Sequence, residues 1–255
     1  MAQKSSGLPK RFKRFDGAQL SPLPSLQEFE SACGGSKGVS ILLGEEFNYE
    51  QQKFFIDWEQ EEGQNLCIAG ADEDIRKGLL HALLLSVSGH FERIVYFNTT
   101  RHGEHLSLSV ANLEIKPYDW NGDMADIIAD FQQKKTLVII DPLESAKVFR
   151  LAETDYGKPK EGSPAFLLKQ FLGDAPPCGS HTVVFVKSWQ QFKKQFNYCV
   201  DSLGLRIGFQ LNAEDARDLT RTTQFKGLDN TKAVFANLQR DEQVLFRPYV
   251  VPTGE

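Results

Sequence analysis

Cysteine is sparse and scattered. Cys33, Cys67, Cys178 and Cys199 form no CxxC pair and no dense framework. This argues against a disulfide-stapled module and against a structural zinc site. Cys67 lies inside an apolar run, as a buried free thiol in a reducing compartment would. Long hydrophobic runs are also missing. No stretch approaches the roughly 20 residues needed to cross a bilayer. The opening MAQKSSGLPKRFKRF has no apolar core of the signal-peptide kind. The expected location is the cytoplasm. Basic charge is not in excess: 29 Lys and Arg face 34 Asp and Glu, a net charge of -5. That balance argues against coating nucleic acid over the whole surface, and leaves room for a local basic groove.

What is present is a chain of 255 residues, 41% of them hydrophobic. That is enough for one large α/β domain with an extension, or for two small domains. Residues 1–36 read as a partly ordered N-terminal extension, and 37–255 as the main domain. The extension interleaves Lys10, Arg11, Lys13 and Arg14 with Phe12 and Phe15. Basic residues beside aromatics suit contact with a nucleic-acid backbone. The alternative is a solvated strand that docks its two Phe side chains on the body.

From Gln64 onward, strand and helix signals alternate. Apolar runs mark strands over Lys37–Leu43, Gln64–Gly70, Glu92–Asn98, Leu113–Pro117, Thr136–Asp141, His181–Lys187 and Leu203–Leu211. TLVIID, ending at Asp141, is the clearest of them. A continuous β-branched run is what a sheet covered on both faces requires. Helical spacing appears over Asp72–Ser88, where Ile75, Leu79, Leu83 and Val87 recur every four residues. It also appears over Gly122–Gln132, Glu144–Leu151, Pro164–Leu172, Trp189–Phe196 and Asp215–Arg221. Ala233–Leu238 and Gln243–Tyr249 read as a closing hairpin around Arg240 and Asp241. The expected fold is α/β: a mainly parallel sheet with helices on both faces and an antiparallel hairpin at the C-terminal edge.

In such sheets, ligands bind beyond the carboxyl ends of the strands. The first strong strand-to-helix turn is LCIAGADEDIRKGLL, residues 66–80. Its place suits a phosphate-binding loop of pattern G-x-x-x-x-G-K-[ST]. Gly70 fills the first glycine. Ile75 falls on the second glycine, Arg76 on the lysine and Lys77 on the magnesium-binding hydroxyl. A β-branched Ile75 resists the backbone curl that turns amides toward phosphates. Asp72, Glu73 and Asp74 crowd the helix start, where carboxylates complement the dipole and repel a triphosphate. The alternative is an ordinary acidic helix cap. The strand TLVIID places Asp141 where a magnesium-positioning acid would stand, but Pro142 follows it instead of the usual glutamate. Glu144 lies three positions further along.

The order of these segments resembles that of the FtsK/SpoIIIE/HerA translocase ATPases, over roughly Gly38 to Tyr249. QNLCIAGADED with GLLHALLLSV looks like the family's N-L-L-x-x-G strand and following helix. TLVIID looks like the Walker B strand. GSHTVVFVKSW looks like the G-x-H-x-x-x-x-T-Q strand, with Gly179 and His181 matching and Lys187 and Ser188 replacing the polar pair. In LGLRIGFQLNAEDARDL, Arg206, Ile207, Phe209, Leu211 and Asp215 match R-I-x-F-x-L-x-x-x-x-D-S. The terminal hairpin ends in the family-like F-R-P-Y at Phe246–Tyr249. The resemblance implies RecA-like rings acting on double-stranded DNA, and other ATPase domains of this type as partners. The departures at Ile75, Arg76, Lys77 and Pro142 fall on catalytic positions. They make the chain look like a degenerate copy, as a separate protein or as a terminal domain of a longer one. Gly70, Arg76, Lys77, Asp141 and Glu144 would form its vestigial nucleotide site. No cofactor is expected, and ATP with magnesium only if that site is still competent.

Other groupings carry less. Glu114-x-Lys116 on a short strand is either half of a nuclease site, with Glu104, or an edge strand of alternating charge. His102, Glu104 and His105 are either weak metal ligands or solvated surface. His181 reads as a structural histidine. Trp189, Lys193 and Lys194 form a cationic amphipathic helix whose lysines face DNA, a partner or solvent. Three functions follow: a catalytically degenerate translocase domain, an active NTPase using Arg76 or Lys77, or a nucleic-acid or protein-binding module.

Overall fold

The computed structural model describes residues 20–33, 38–99, 110, 112–116, 131–150, 154–155, 158–222 and 228–252. In chain order the elements begin with β1 (Ser21–Pro22), α1 (Leu26–Cys33), β2 (Val39–Glu46), β3 (Lys53–Trp58), β4 (Leu66–Ala69) and α2 (Glu73–Val87). Next come β5 (Arg93–Asn98), β6 (Leu113–Lys116), β7 (Thr136–Asp141), β8 (Thr154–Asp155), β9 (Lys158–Pro159) and α3 (Pro164–Asp174). The series closes with β10 (His181–Val186), α4 (Trp189–Gln195), β11 (Leu205–Phe209), α5 (Ala213–Thr220), β12 (Ala233–Asn237) and β13 (Glu242–Val250).

The main sheet runs β3-β2-β13-β12-β11-β4-β10-β7-β5-β6, with β1 paired to the end of β13. The six strands from β11 to β6 are mutually parallel. Their side chains alternate between two apolar layers, as the pleat dictates. In β7, Leu137 and Ile139 join one core cluster while Val138 and Ile140 join the other. Leu66 and Ile68 of β4 likewise face one layer, and Cys67 and Ala69 the other. Buried residues of α1 and α2 cover the first face; those of α3, α4 and α5 cover the second. The expected mainly parallel α/β sheet with helices on both faces is the fold observed.

Two expectations are corrected. The β12–β13 hairpin is not at the edge, because β2 pairs outside β13 and β3 outside β2. Those two strands bury Ile41, Leu42, Leu43, Phe54, Ile56 and Trp58, so they belong inside the fold. The helix expected over Glu144–Leu151 is instead two short 3-10 turns, Leu143–Ser145 and Lys147–Phe149. Neither turn has a side-chain cap, so neither extends into a regular helix. Within the extension, expected to be partly ordered, α1 packs on the domain. Phe29 of α1 is 1% exposed and joins the first core cluster. The helix expected over 122–132 lies largely outside the described residues.

Helix α2 positions the candidate site. Its Leu-rich face is buried, and Gly78 lets its backbone press onto β13. A Cβ at Gly78 would stand 2.0 Å from the Tyr249 carbonyl oxygen. The helix is therefore fixed laterally against the sheet.

Candidate functional site

The carboxyl ends of β4, β7, β10 and β11 meet beside the N-terminus of α2, at the place where parallel sheets bind ligands. Only Gly70, Ala71 and Asp72 separate β4 from α2. The Gly70 amide donates to the Val186 carbonyl at 2.9 Å, so the turn begins as a continuation of the sheet. A side chain at Gly70 would collide with the Phe209 ring, whose nearest atoms lie 2.4 Å from the added Cβ. This glycine is required by close packing at a negative φ. Asp72 then caps the helix, its Oδ1 accepting from the Ile75 amide at 3.0 Å. Its Oδ2 accepts from Gln210 Nε2 at 2.8 Å. Ile75 sits in the first turn with no exposure and belongs to the core. Residues 73–75, which would curl around a phosphate in the loop pattern, are already helical.

One turn along α2, Arg76 crosses to β7. Its Nη1 donates to Asp141 Oδ1 at 2.6 Å. The Arg76 side chain is 14% exposed and that of Asp141 7%. Tyr96 on the neighbouring β5 donates its hydroxyl to Asp141 Oδ2 at 3.2 Å. Both carboxylate oxygens of Asp141 thus hold a protein donor. Burial pushes the Asp141 carboxyl above its ordinary range, against the opposing pull of Arg76 and Tyr96. Arg76 also lies 3.7 Å from Glu73 Oε1, which Lys187 Nζ approaches from the end of β10 at 3.4 Å. Asp141 of β7, Lys187 just past β10 and Gln210 just past β11 thus each meet one residue at the start of α2 or its cap.

Glu144 follows on the 3-10 turn after β7. Its Oε1 accepts from the Lys187 amide at 2.8 Å and from the Ser188 amide at 3.0 Å. The residue is 7% exposed, and burial pushes its carboxyl upward.

The structure thus brings Gly70, Arg76 and Asp141 together at the carboxyl ends of the strands, with Glu144 beside them tying β7 to β10. Lys77 follows Arg76 by about 100° around the helix and so points to a different side. The sequence missed Tyr96, Gln210 and the reach of Lys187 to Glu73. Gln210 carries a signal in the structure, a positive φ of 50°, that its residue type does not announce.

The other candidates lie apart from this group. Lys193 pairs with Asp218, which also accepts from Trp189 Nε1 at 2.8 Å. Lys194 is exposed. Lys10, Arg11, Lys13 and Arg14 lie outside the described residues, as do His102, Glu104 and His105. Glu114 pairs with Arg93 at 2.7 Å and with Lys116 at 3.4 Å, so the E-x-K pair is knit into ion pairs along the β6 edge. His181 is 2% exposed and stacked on Trp58 with centroids 4.6 Å apart. Its Nδ1 is 2.8 Å from the Gln64 carbonyl, so Nδ1 carries the proton. Burial pushes its pKa down to about 4. Arg206 is buried over the Trp189 ring and donates to the carbonyls of Leu203, Val200 and Leu219. Among the described residues no three His, Cys, Asp or Glu side chains converge as a metal site would require. No described helix is long and apolar enough to cross a membrane.

No family model and no curated protein matches the sequence. Solved structures do match the fold. The first is EccC (ATPases 2 and 3) of Thermomonospora curvata, in complex with a signal sequence peptide. It is 12% identical, with a TM-score of 0.61 over 94% of this chain and 44% of that one. A protein described as an ATPase has a TM-score of 0.66 at 12% identity, over 94% of this chain and 97% of its own. The genome packaging NTPase B204 of Sulfolobus turreted icosahedral virus 2, in complex with ATP-gammaS, has a TM-score of 0.52 at 11% identity. It covers 75% of this chain and 99% of its own. The chain spans less than half the length of EccC. At this identity the likeness shows the fold alone: this chain has a RecA-like α/β architecture, shared with these ATPase and NTPase structures.

Proposed function

We propose that this chain is a catalytically degenerate ATPase domain of the FtsK type. Its role is structural, regulatory or recruiting, beside active ATPase domains in a DNA-translocating or DNA-processing assembly in the cytoplasm. One observation carries the proposal: Arg76, at the position of the phosphate-loop lysine, is closed on Asp141, at the position of the magnesium-positioning acid, at 2.6 Å. The residues present do not fit a magnesium-bound triphosphate. The turn is three residues long, Asp72 fills the helix cap, and Ile75 is packed into the core. Three amides of this segment are already taken: Gly70 donates to the Val186 carbonyl, Ile75 to the Asp72 cap and Arg76 to the Asp72 carbonyl.

The similarity to ATPases 2 and 3 of EccC supports other ATPase domains as partners. Double-stranded DNA is the expected substrate of the assembly, with Lys10, Arg11, Lys13, Arg14, Lys193 and Lys194 as the residues to test for contact. The experiment is a titration with labelled ATP in the presence of magnesium. It should give no saturable binding and no turnover.

An active NTPase is the second reading. Arg76 does stand at the N-terminal end of α2, where a phosphate would compete with Asp141 for its guanidinium. Turnover by the unmutated protein, abolished in Lys77→Ala or Asp141→Ala, would establish this reading over the first.

A further inference from the structure

The carboxyl of Glu144 is served on one side only. Oε1 accepts two backbone amides, those of Lys187 and Ser188. Oε2 is buried and has no hydrogen-bond partner among the described residues. An ionised carboxylate spreads its charge over both oxygens, and an unserved buried one is costly. A neutral carboxyl concentrates its acceptor strength on its carbonyl oxygen and leaves a hydroxyl on the other. The two amides on Oε1 favour the ionised form, but burial and the unserved Oε2 oppose it, and burial is the larger influence.

The groups around it sharpen the point. Lys187 turns its ammonium away, to Glu73 at 3.4 Å. Arg150 donates to the backbone carbonyl of Glu144 at 2.5 Å, not to its carboxyl. Asp141 is held by Arg76 and Tyr96. From β4, the buried Cys67 thiol is pushed up to about 12, chiefly by burial, and so faces Glu144 uncharged. Helix α4, packed on the same turn, has Lys193 on Asp218 and Lys194 in solvent. Among the described residues no cation is committed to Oε2.

We propose that Glu144 is a proton-dependent clasp between the end of β7 and the β10–α4 turn, coupled through Lys187 to the first turn of α2. In the neutral form Oε1 holds the Lys187 and Ser188 amides, and Lys187 Nζ is free to hold Glu73. On ionisation the proton leaves Oε2 for solvent, and the buried charge draws in Lys187 or Arg150. Recruiting Lys187 breaks its contact with Glu73 and releases one of the three ties on α2. The pose of α4, which starts at Trp189, changes with it. This clasp operates whether or not a nucleotide binds, so it stands apart from the degenerate-site proposal.

The test is NMR on the labelled full chain from about pH 4 to about pH 9. The Glu144 side-chain carbonyl carbon reports its protonation directly. Its midpoint should lie above the ordinary value of 4.5. The Lys187 and Ser188 amide signals should move with the same midpoint. In Glu144→Gln those amides should stay at their low-pH positions throughout. A midpoint at or below the ordinary value overturns the clasp. So does a carboxyl that never ionises in this range, or amides that stay still while it does. The carboxyl signal of the unmutated chain decides the matter even if the Gln variant does not fold.

Discussion

Replacing Arg76 with Ala should turn Asp141 from a satisfied ion-pair partner into a buried charge with one remaining donor. The residue is 5% exposed, and Tyr96 offers a single hydroxyl at 3.2 Å. Breaking a buried pair by removing one partner costs about 3 kcal/mol or somewhat more. The Asp141 carboxyl limits that cost by taking up a proton, which gives the loss a pH signature. With Arg76 absent, burial pushes the carboxyl higher still. A carboxyl whose folded pKa exceeds its unfolded value contributes stability at low pH and loses it as pH rises through the folded value. The unfolded reference is 3.8, so the window opens there and extends upward. Urea denaturation of both proteins should show a difference of about 1 kcal/mol near pH 4.5 and about 3 kcal/mol near pH 7.5. Adding Asp141→Asn should restore most of the loss at the higher pH, because the charge is gone. An Arg76→Ala variant as stable as the parent at both pH values would refute the reasoning. That result would mean the guanidinium is a loosely held side chain, available to a phosphate.

Two further outcomes test the fold around the site. Gly78→Ala should lower stability by about 2 kcal/mol despite the better helix propensity of alanine, because its Cβ meets the rigid Tyr249 backbone; an unchanged thermal midpoint would contradict the close approach of α2 to β13. His181 is neutral in the fold while the unfolded chain takes up a proton below about 6.5, so stability should fall by about 3 kcal/mol between pH 6.5 and pH 4. Denaturant midpoints of His181→Phe should lose that part of the slope, and a slope identical to the parent would contradict the assignment.

Much of the parallel half of the fold is legible because local pattern and environment agree. TLVIID and HTVVFV are apolar runs, and both become strands buried on two faces. Helix α2 follows its four-residue spacing from Ile75 to Val87. Laying the loop pattern on residues 70–77 puts Arg76 on the lysine position, and Arg76 does meet Asp141. The rest depends on pairings distant in the chain. Tyr96 reaches Asp141 across 45 positions and Gln210 reaches Asp72 across 138. Nothing local marks either residue. The place of β2 and β3 outside the hairpin is likewise a matter of non-local pairing. Glu144 stands out in the sequence by its spacing from Asp141, but its bonds to the Lys187 and Ser188 amides depend on β7 and β10 lying side by side. The turns after Pro142 carry helical spacing in their apolar residues, yet they lack the caps a helix needs.

The most direct measurement is calorimetric titration of the full chain with ATP and magnesium. A closed phosphate turn predicts no saturable heat even at millimolar nucleotide, and no released phosphate. Micromolar, magnesium-dependent binding accompanied by hydrolysis would contradict it.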